Sequence, residues 1–288
     1  MRILLLGKNG QLGWELQRTL APLGTMLALD YQELNLEDFS RVRTTIRELK
    51  PDTIVNASAY TAVDKAESEK ESCFIVNGTI PGILAEEARA LNATLIHYST
   101  DYVFDGSKGS PYSETDKPNP LNVYGSSKLA GEAAIQAVGG HYLILRTSWV
   151  YSLRRGGFVN KVLEWARQQE TLRIVSDQVA NPTWARLLAE ITAQGIARGN
   201  PYLAARTGLY HLAGSGFTSR YEWTRKILEN DPKKHEQIVK SILPVSTFEF
   251  PTPAVRPLFS ALDCSKFQDA FELALPSWEH ALSLAMDT

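Results

Sequence analysis

Cysteine is scarce in this sequence. Cys73 and Cys264 are the two cysteines among 288 residues, and they lie in unrelated stretches without the spacing of metal ligands. A disulfide scaffold is therefore not expected, and two isolated thiols fit a reducing cytoplasm. From these residues we expect no structural metal centre.

Long apolar runs and runs of basic residues are also missing. No stretch approaches the roughly 18 apolar residues of a membrane helix, and the chain enters a strand pattern at Arg2 without the features of a signal peptide. The net charge is −2, and no run of five Lys or Arg occurs. We therefore predict a cytoplasmic protein that binds neither nucleic acid nor a membrane surface.

The first 20 residues carry a pattern typical of nucleotide-binding proteins. An apolar run at residues 2–6 predicts a strand buried on both faces of a parallel sheet, and a helical pattern starts at Trp14. Between them we expect Gly7 to form the turn, Gly10 to let a diphosphate approach the helix N-terminus, and Gly13 to allow close packing. The spacing is G-x-x-G-x-x-G, and a lone glycine triplet is more often only a turn. The strand, turn and helix context favours a cofactor site.

Asp30 follows a second predicted strand at residues 25–29. An acidic side chain about 20 residues past the glycines can accept hydrogen bonds from an adenosine ribose, although it could also be an ordinary loop residue. It would repel a 2′-phosphate, so we expect NADH to be tolerated beside NADPH. The next helix is predicted to run to Leu49, with Asn35 as a candidate cap.

Strands continue to alternate with helices, and polar or small residues follow the third, fourth and fifth strands. Ligands of open parallel sheets bind at those strand ends. The pattern predicts an α/β fold, a Rossmann-type doubly wound parallel sheet with a smaller C-terminal substrate-binding domain. We place the NAD(P)-binding domain at residues 1–150 and the substrate domain mainly at 151–288, and we expect the strand at 172–175 to return to the main sheet.

Tyr124 and Lys128 stand four residues apart at a predicted helix start, after hydroxyl residues Ser99 and Thr100 at the end of strand four. Residues with this spacing share one helical face. A neighbouring ammonium stabilises a phenolate and brings its pKa, about 10 when unperturbed, closer to working pH. Alone this motif also fits an amphipathic helix with an exposed lysine. Its position in a nucleotide-binding pattern favours acid–base chemistry.

Together these residues resemble the extended short-chain dehydrogenases/reductases, and more narrowly the family of dTDP-4-dehydrorhamnose reductases. Lys8, Asn9 and Trp149 are not generic to the wider superfamily. The narrower resemblance spans nearly the whole chain and rests on residues 7–16, 61–67, 99–104, 120–125, 146–151 and 251–257.

The resemblance implies reduction of the C4 keto group of dTDP-4-dehydro-β-L-rhamnose by NADPH or NADH, the last step of dTDP-L-rhamnose synthesis. It implies Tyr124 as proton donor, Lys128 as the group that lowers its pKa and holds the nicotinamide ribose, and Thr100 as a hydrogen-bond donor to the reacting oxygen. The implied cofactor residues are Gly7, Gly10, Gln11, Leu12, Gly13, Asp30, Asn35, Leu36, Ala59, Tyr60, Thr61, Tyr98, Tyr124 and Lys128. The implied substrate residues are Thr100, Asp101, Trp149 and Arg256.

Two features depart from the family pattern or stay open. Arg154 and Arg155 lie in a glycine-rich loop and could contact a diphosphate or solvent. Glu15 and Glu190 resemble carboxylates that join a homodimer through a metal such as Mg²⁺ in some relatives, yet they are equally compatible with plain helix-surface glutamates.

Three other functions share this scaffold. A 4,6-dehydratase typically has an Asp-Glu pair after the threonine, whereas here Thr100 is followed by Asp101 and Tyr102. A 4-epimerase usually retains its cofactor. A regulatory subunit of methionine adenosyltransferase has the same fold, and the intact Thr100, Tyr124 and Lys128 argue against a protein that has lost its chemistry.

Overall fold

The computed structural model describes residues 1–154 and 156–287. Its strands are β1 Arg2–Leu6, β2 Thr25–Leu29, β3 Thr53–Asn56, β4 Thr94–Thr100, β5 His141–Thr147, β6 Val150–Tyr151, β7 Thr171–Val175, β8 Val179–Ala180, β9 Thr183–Trp184, β10 Gly208–His211, β11 Thr218–Ser219 and β12 Ser241–Val245. Six of them form one parallel sheet in the order β10-β5-β4-β3-β1-β2. The predicted doubly wound parallel sheet is confirmed.

Helices cover both faces of this sheet. The helices of the chain are α1 Gln11–Leu20, α2 Phe39–Leu49, α3 Val63–Ala66, α4 Lys70–Phe74, α5 Ile80–Ala90, α6 Val123–Val138, α7 Phe158–Gln168, α8 Ala185–Ala197, α9 Asn200–Ala204, α10 Arg220–Glu229, α11 Ser265–Phe271 and α12 Trp278–Met286. Of these, α7, α10 and α12 pack with β7 in a separate hydrophobic cluster. Among the residues described, no helix combines the length and the apolar character needed to cross a membrane.

Strand β1 shows why the sheet is covered on two sides. Ile3 and Leu5 join the hydrophobic cluster that contains α1 and α8, whereas Leu4 and Leu6 join the cluster that contains α2 and α5. Successive side chains of a strand point to opposite faces, so an all-apolar strand needs a helical layer on each face. The apolar run at residues 2–6 therefore has the role that its composition predicts.

The expectation that the strand at 172–175 joins the main sheet is wrong. This segment, β7, pairs in parallel with β12 in a separate two-stranded sheet, and β10 pairs with β5 instead. In β7 Leu172 and Ile174 are buried while Thr171 and Arg173 are exposed, which is the alternation of a strand with one face in solvent. The functional division at residue 150 stays a prediction.

The expected cap of the second helix also changes. The side chain of Asp38, not of Asn35, caps α2 by accepting from the Arg41 N–H at 3.0 Å. Further along the chain a π-helical turn, Ile75–Thr79, joins α4 to α5, and such turns are frequent near functional sites.

Candidate active site

One cavity of about 700 Å³ runs along the edge where the parallel strands end. Its wall includes every predicted cofactor residue except Gly13 and every predicted substrate residue except Arg256. The predicted residues in the wall are Gly7, Gly10, Gln11, Leu12, Asp30, Asn35, Leu36, Ala59, Tyr60, Thr61, Tyr98, Thr100, Asp101, Tyr124, Lys128 and Trp149. The structure therefore brings the predicted cofactor and substrate residues to one continuous space.

The glycine turn between β1 and α1 forms one end of the cavity. Gly7 has φ +84°, and a Cβ there would lie 2.7 Å from the Ser58 nitrogen. At Gly13 a Cβ would lie 1.9 Å from the Gly7 oxygen. Gly13 thus lets the first turn of α1 pack against the loop, and it lies behind the cavity wall for that reason.

Asp30 holds the glycine turn in place. Its carboxylate accepts the main-chain N–H of Asn9 at 2.7 Å and that of Tyr31 at 2.8 Å. An ionised carboxylate has about four acceptor positions, so Asp30 can still accept a hydrogen bond from a ligand. The same end of the cavity has an ion pair between Lys8 and Glu33.

Two buried oxygens in the wall have no hydrogen-bond partner within the described part of the chain. They are Oε1 of Gln11, at the start of α1, and Oγ1 of Thr147, at the end of β5. A buried polar atom without a partner is unfavourable, and in native proteins it commonly marks a place for a ligand or water. A polar ligand in the cavity could satisfy both oxygens.

Tyr124 lies in the first turn of α6, which starts where the side chain of Asn122 accepts the Gly125 N–H at 2.8 Å. Burial raises the pKa of the Tyr124 phenol, and its hydrogen bond with Thr100 opposes that rise. The ring of Tyr102 packs edge-on against Tyr124, with centroids 5.9 Å apart. A phenol with a raised pKa is protonated at neutral pH, as a proton donor must be.

Lys128 is buried one turn further along α6. Its Nζ donates to the main-chain oxygen of Tyr98 at 2.6 Å and lies 3.3 Å from Nε2 of His97. Burial lowers the pKa of Lys128 to about 8, while the negative charge of Glu132 opposes the shift. Burial is the largest influence on the pKa of Tyr124, so the idea that Lys128 lowers it stays a prediction.

Asp101 is 2% exposed and accepts three hydroxyl hydrogen bonds. The donors are Ser260 at 2.5 Å, Ser148 at 3.1 Å and Thr100 at 3.2 Å. Burial raises its pKa to about 6, and the three hydroxyl groups limit that rise. Sequence reasoning missed both serines. Ser148 follows strand five and could have been found as a strand-end residue, but nothing local indicates Ser260.

Asn77, a buried polar residue, connects the cofactor end to the catalytic helix. From the π-helical turn its Oδ1 accepts the Tyr60 N–H at 2.9 Å, and its Nδ2 donates to the Tyr60 oxygen at 3.0 Å. The same Nδ2 donates to Oγ of Ser127 in α6 at 3.1 Å. These contacts hold the loop after β3 against α6.

The charged residues Arg154, Glu15 and Glu190 are not part of the cavity wall. The guanidinium of Arg154 stacks on Trp14 at 3.8 Å from the ring centroid, and Arg155 lies outside the described residues. Glu190 pairs with Arg186 at 2.7 Å. Across the described ranges no cluster of three or more His, Cys, Asp or Glu side chains within the chain could hold a metal ion. The Mg²⁺ bridge between two chains that the resemblance suggests stays a prediction.

A parallel doubly wound sheet, a glycine turn after its first strand, and a threonine, tyrosine and lysine at one end of the same cavity define a nucleotide-dependent oxidoreductase of the short-chain type. Comparison with known proteins narrows this class. The family model described as the RmlD substrate binding domain matches residues 1–288. A dTDP-4-dehydrorhamnose reductase of Escherichia coli strain K12 is 46% identical over 286 residues, which cover 97% of this chain and 95% of that relative. The chain belongs to the dTDP-4-dehydrorhamnose reductase family.

Solved structures agree with this assignment. A dTDP-4-dehydrorhamnose reductase from Clostridium acetobutylicum superposes with a TM-score of 0.92 at 32% identity, covering 100% of this chain and 99% of that one. A dTDP-4-dehydrorhamnose reductase from Bacillus anthracis, solved in complex with NADP, has a TM-score of 0.90 at 32% identity and the same coverage. The family resemblance seen in the sequence is confirmed.

Proposed function

We propose that this protein reduces the C4 keto group of dTDP-4-dehydro-β-L-rhamnose to give dTDP-β-L-rhamnose, with NADPH or NADH as reductant. The observation that carries the proposal is the convergence of Thr100, Tyr124 and Lys128 at one end of a cavity whose other end is the glycine turn. Family membership supports the substrate, because the relatives named above carry this activity in their names.

The cavity offers the contacts that a nicotinamide dinucleotide needs. Gly7 and Gly10 expose main chain at the N-terminus of α1, where a diphosphate is stabilised by the helix dipole. Asp30 retains acceptor positions for a ribose hydroxyl, and Gln11 has an unpaired oxygen. When bound, a reduced nicotinamide supplies the hydride that adds to C4.

The side chains at the other end of the cavity supply the proton that the reduction requires. As negative charge develops on the keto oxygen, the Tyr124 phenol donates its proton there. The Thr100 hydroxyl, which donates to Asp101 in the free protein, rotates to donate its one hydrogen bond to the same oxygen. The C4=O double bond thereby becomes an H–C4–OH group. Lys128, held by the Tyr98 oxygen, stabilises the phenolate that Tyr124 leaves behind.

Two features of Trp149 support its proposed contact with the sugar. It lines the cavity next to Asp101, and its backbone has φ +39°, a conformation that is strained for a large side chain and is concentrated at functional sites. Its ring stacks on that of Trp223 with centroids 5.5 Å apart, which fixes the orientation. These features support a substrate-facing role for Trp149.

NADPH oxidation, followed by the nicotinamide absorbance, tests the proposal. The keto sugar is produced in the cuvette from dTDP-glucose by a dehydratase and a 3,5-epimerase. We expect turnover that requires the epimerase, and we expect Tyr124→Phe to lose about 10²–10⁴-fold in kcat while keeping its affinity for NADPH. Tyr142→Phe, at the opposite end of β5, is the matched control and should remain active.

Other outcomes would redirect the assignment. Turnover without the epimerase would indicate a different 4-keto sugar as substrate. Wild-type protein that binds NADPH but reduces neither sugar would contradict the proposal and favour the regulatory-subunit alternative. Purified protein that retains NAD through purification would favour an epimerase.

A further inference from the structure

Two arginines converge next to the catalytic end of the cavity. The guanidinium groups of Arg220, from α10, and Arg256, from the loop before α11, both lie near the hydroxyl of Tyr102, which favours the charged form of each arginine. Each positive charge therefore lies within the field of the other, and the charge of Arg256 disfavours the charged form of Arg220. Two cations held together in a partly buried place are unfavourable unless an anion offsets them.

The available carboxylates neutralise only one of the pair. Arg256 forms two hydrogen bonds to Asp64, at 2.7 and 3.1 Å. Within the described part of the chain Arg220 has no ion pair within 4.0 Å. Asp101 contributes a favourable charge to Arg220 from a distance, but its oxygens are occupied by serine and threonine hydroxyls. The positive charge of Arg220 therefore lacks a carboxylate in direct contact within the described part of the chain.

Aromatic rings hold Arg220 in position. Its guanidinium carbon lies 3.7 Å from the ring centroid of Trp149 and 4.6 Å from that of Phe158. Trp223, one turn later in α10, stacks on both rings, and its buried indole nitrogen has no hydrogen-bond partner among the described residues. A stacked, planar guanidinium loses little conformational freedom when it binds a ligand, so its donors are oriented in advance.

The cluster adjoins the place proposed for the keto sugar. Trp149 lines the cavity and Arg220 stacks on it, while Tyr102 packs edge-on against Tyr124 at 5.9 Å. In a sugar nucleotide the diphosphate is attached at C1, across the ring from the reacting C4. A sugar with its C4 oxygen at Tyr124 therefore directs its diphosphate away from the catalytic hydroxyls.

We propose that Arg220, together with Arg256 and Tyr102, binds the diphosphate of the sugar-nucleotide substrate. The inference rests on the proposed function, because it assumes that the sugar lies at Tyr124. Guanidinium groups match diphosphate oxygens with paired hydrogen bonds. Trp149 then has two contacts, with the sugar on the cavity side and with Arg220 behind it.

Binding of dTDP and of thymidine to the NADPH-saturated protein tests this site by calorimetry, without any turnover. Arg220→Met retains an apolar chain against Trp149 but removes the charge, and Arg220→Lys retains the charge without the planar fork. We expect Arg220→Met to weaken dTDP binding about tenfold or more and to leave thymidine and NADPH binding unchanged. The dTDP affinity of Arg220→Lys should lie between those of the wild type and of Arg220→Met. Arg225→Met, on an exposed part of the same helix, is the control.

An equal loss of dTDP and thymidine affinity in Arg220→Met, or no loss of either, would overturn the proposal and leave Arg220 a packing residue. Thermal denaturation of each variant shows whether it is folded, and Arg220→Lys keeps the test valid if the methionine variant is not. The two proposals fail separately. Wild-type protein that binds dTDP through Arg220 but does not reduce the keto sugar would reject the reductase function alone.

Discussion

Lys128 and His97 are in direct contact inside the protein, with Nζ 3.3 Å from Nε2. The amide of Asn56 lies 3.0 Å from Nδ1 of the same imidazole. Because the Asn56 oxygen accepts the main-chain N–H of Ser58 at 3.2 Å, its NH₂ group must donate to Nδ1. This assigns the imidazole proton to Nε2, where it faces Lys128 and disfavours the ammonium form.

The rate of reduction is expected to report this contact. Burial lowers the pKa of Lys128 to about 8, so the lysine is charged below that pH and neutral above it. In the proposed mechanism this charge stabilises the Tyr124 phenolate, so kcat/KM should fall as pH rises through about 8. In His97→Gln the amide can turn its oxygen toward Lys128, and the fall should move to higher pH. An unmoved or lowered midpoint would contradict the proton assignment, and His141→Gln is the control.

Asp101 should make the folded state less stable as pH rises. Its pKa is raised from 3.8 to about 6, so between those values the native state holds a proton that the unfolded state has lost. The contribution is fully present below pH 3.8 and is lost as pH rises through 6, a change of about 3 kcal/mol at 1.36 kcal/mol per unit. We expect urea unfolding between pH 4 and 7.5 to show that the free energy of unfolding of Asp101→Asn, relative to that of the wild type, increases with pH.

The matched control for that experiment is Asp116, whose pKa is shifted in the opposite direction. A hydrogen bond from Lys108 lowers the pKa of Asp116 from 3.8, so its contribution to stability is fully present above pH 3.8 and is lost only as pH falls further. Between pH 4 and 7.5 the stability difference between Asp116→Asn and the wild type should therefore stay constant. A pH-dependent difference in both variants would mean that a general effect, not Asp101, controls the profile.

The buried ion pair between Glu132 and Arg146 should be sensitive to the loss of one partner. Both side chains are at most 4% exposed, and the closest oxygen and nitrogen are 2.6 Å apart. Glu132→Gln leaves the Arg146 charge uncompensated, so we expect a loss of about 3–5 kcal/mol in the free energy of unfolding. Glu190→Gln, in the exposed pair with Arg186, should cost less than about 1 kcal/mol. Equal effects in urea unfolding would contradict the burial argument.

Asn77 should control cofactor affinity through the Tyr60 loop. Asn77→Leu removes both hydrogen bonds to the Tyr60 main chain and the one to Ser127. We expect NADPH binding to weaken about tenfold, with dTDP binding nearly unchanged because the arginine cluster lies at the other end. Asn230→Ala, at a partly exposed residue that follows the last residue of α10, is the control. Equal weakening of both ligands would indicate a general loss of structure.

Local patterns explain what could be predicted. A turn that needs Gly7 at positive φ, an apolar strand at residues 2–6, and two side chains on one face of α6 are each determined within a few neighbouring residues. The expectations that were wrong concerned which segments of the chain pair with each other. The residues at 172–175 form a strand as predicted, but the choice of β12 over the main sheet depends on a segment far along the chain.

The sequence by itself determined the fold class, the family and the residues that line the cavity, because backbone periodicity and turn chemistry act over short distances. Only the tertiary structure decided which groups surround those residues. Ser260 reaches Asp101 from the C-terminal loop, and Arg220 meets Arg256 at Tyr102. Such contacts join residues that no local pattern connects, and burial in the folded chain sets their charges and hydrogen bonds.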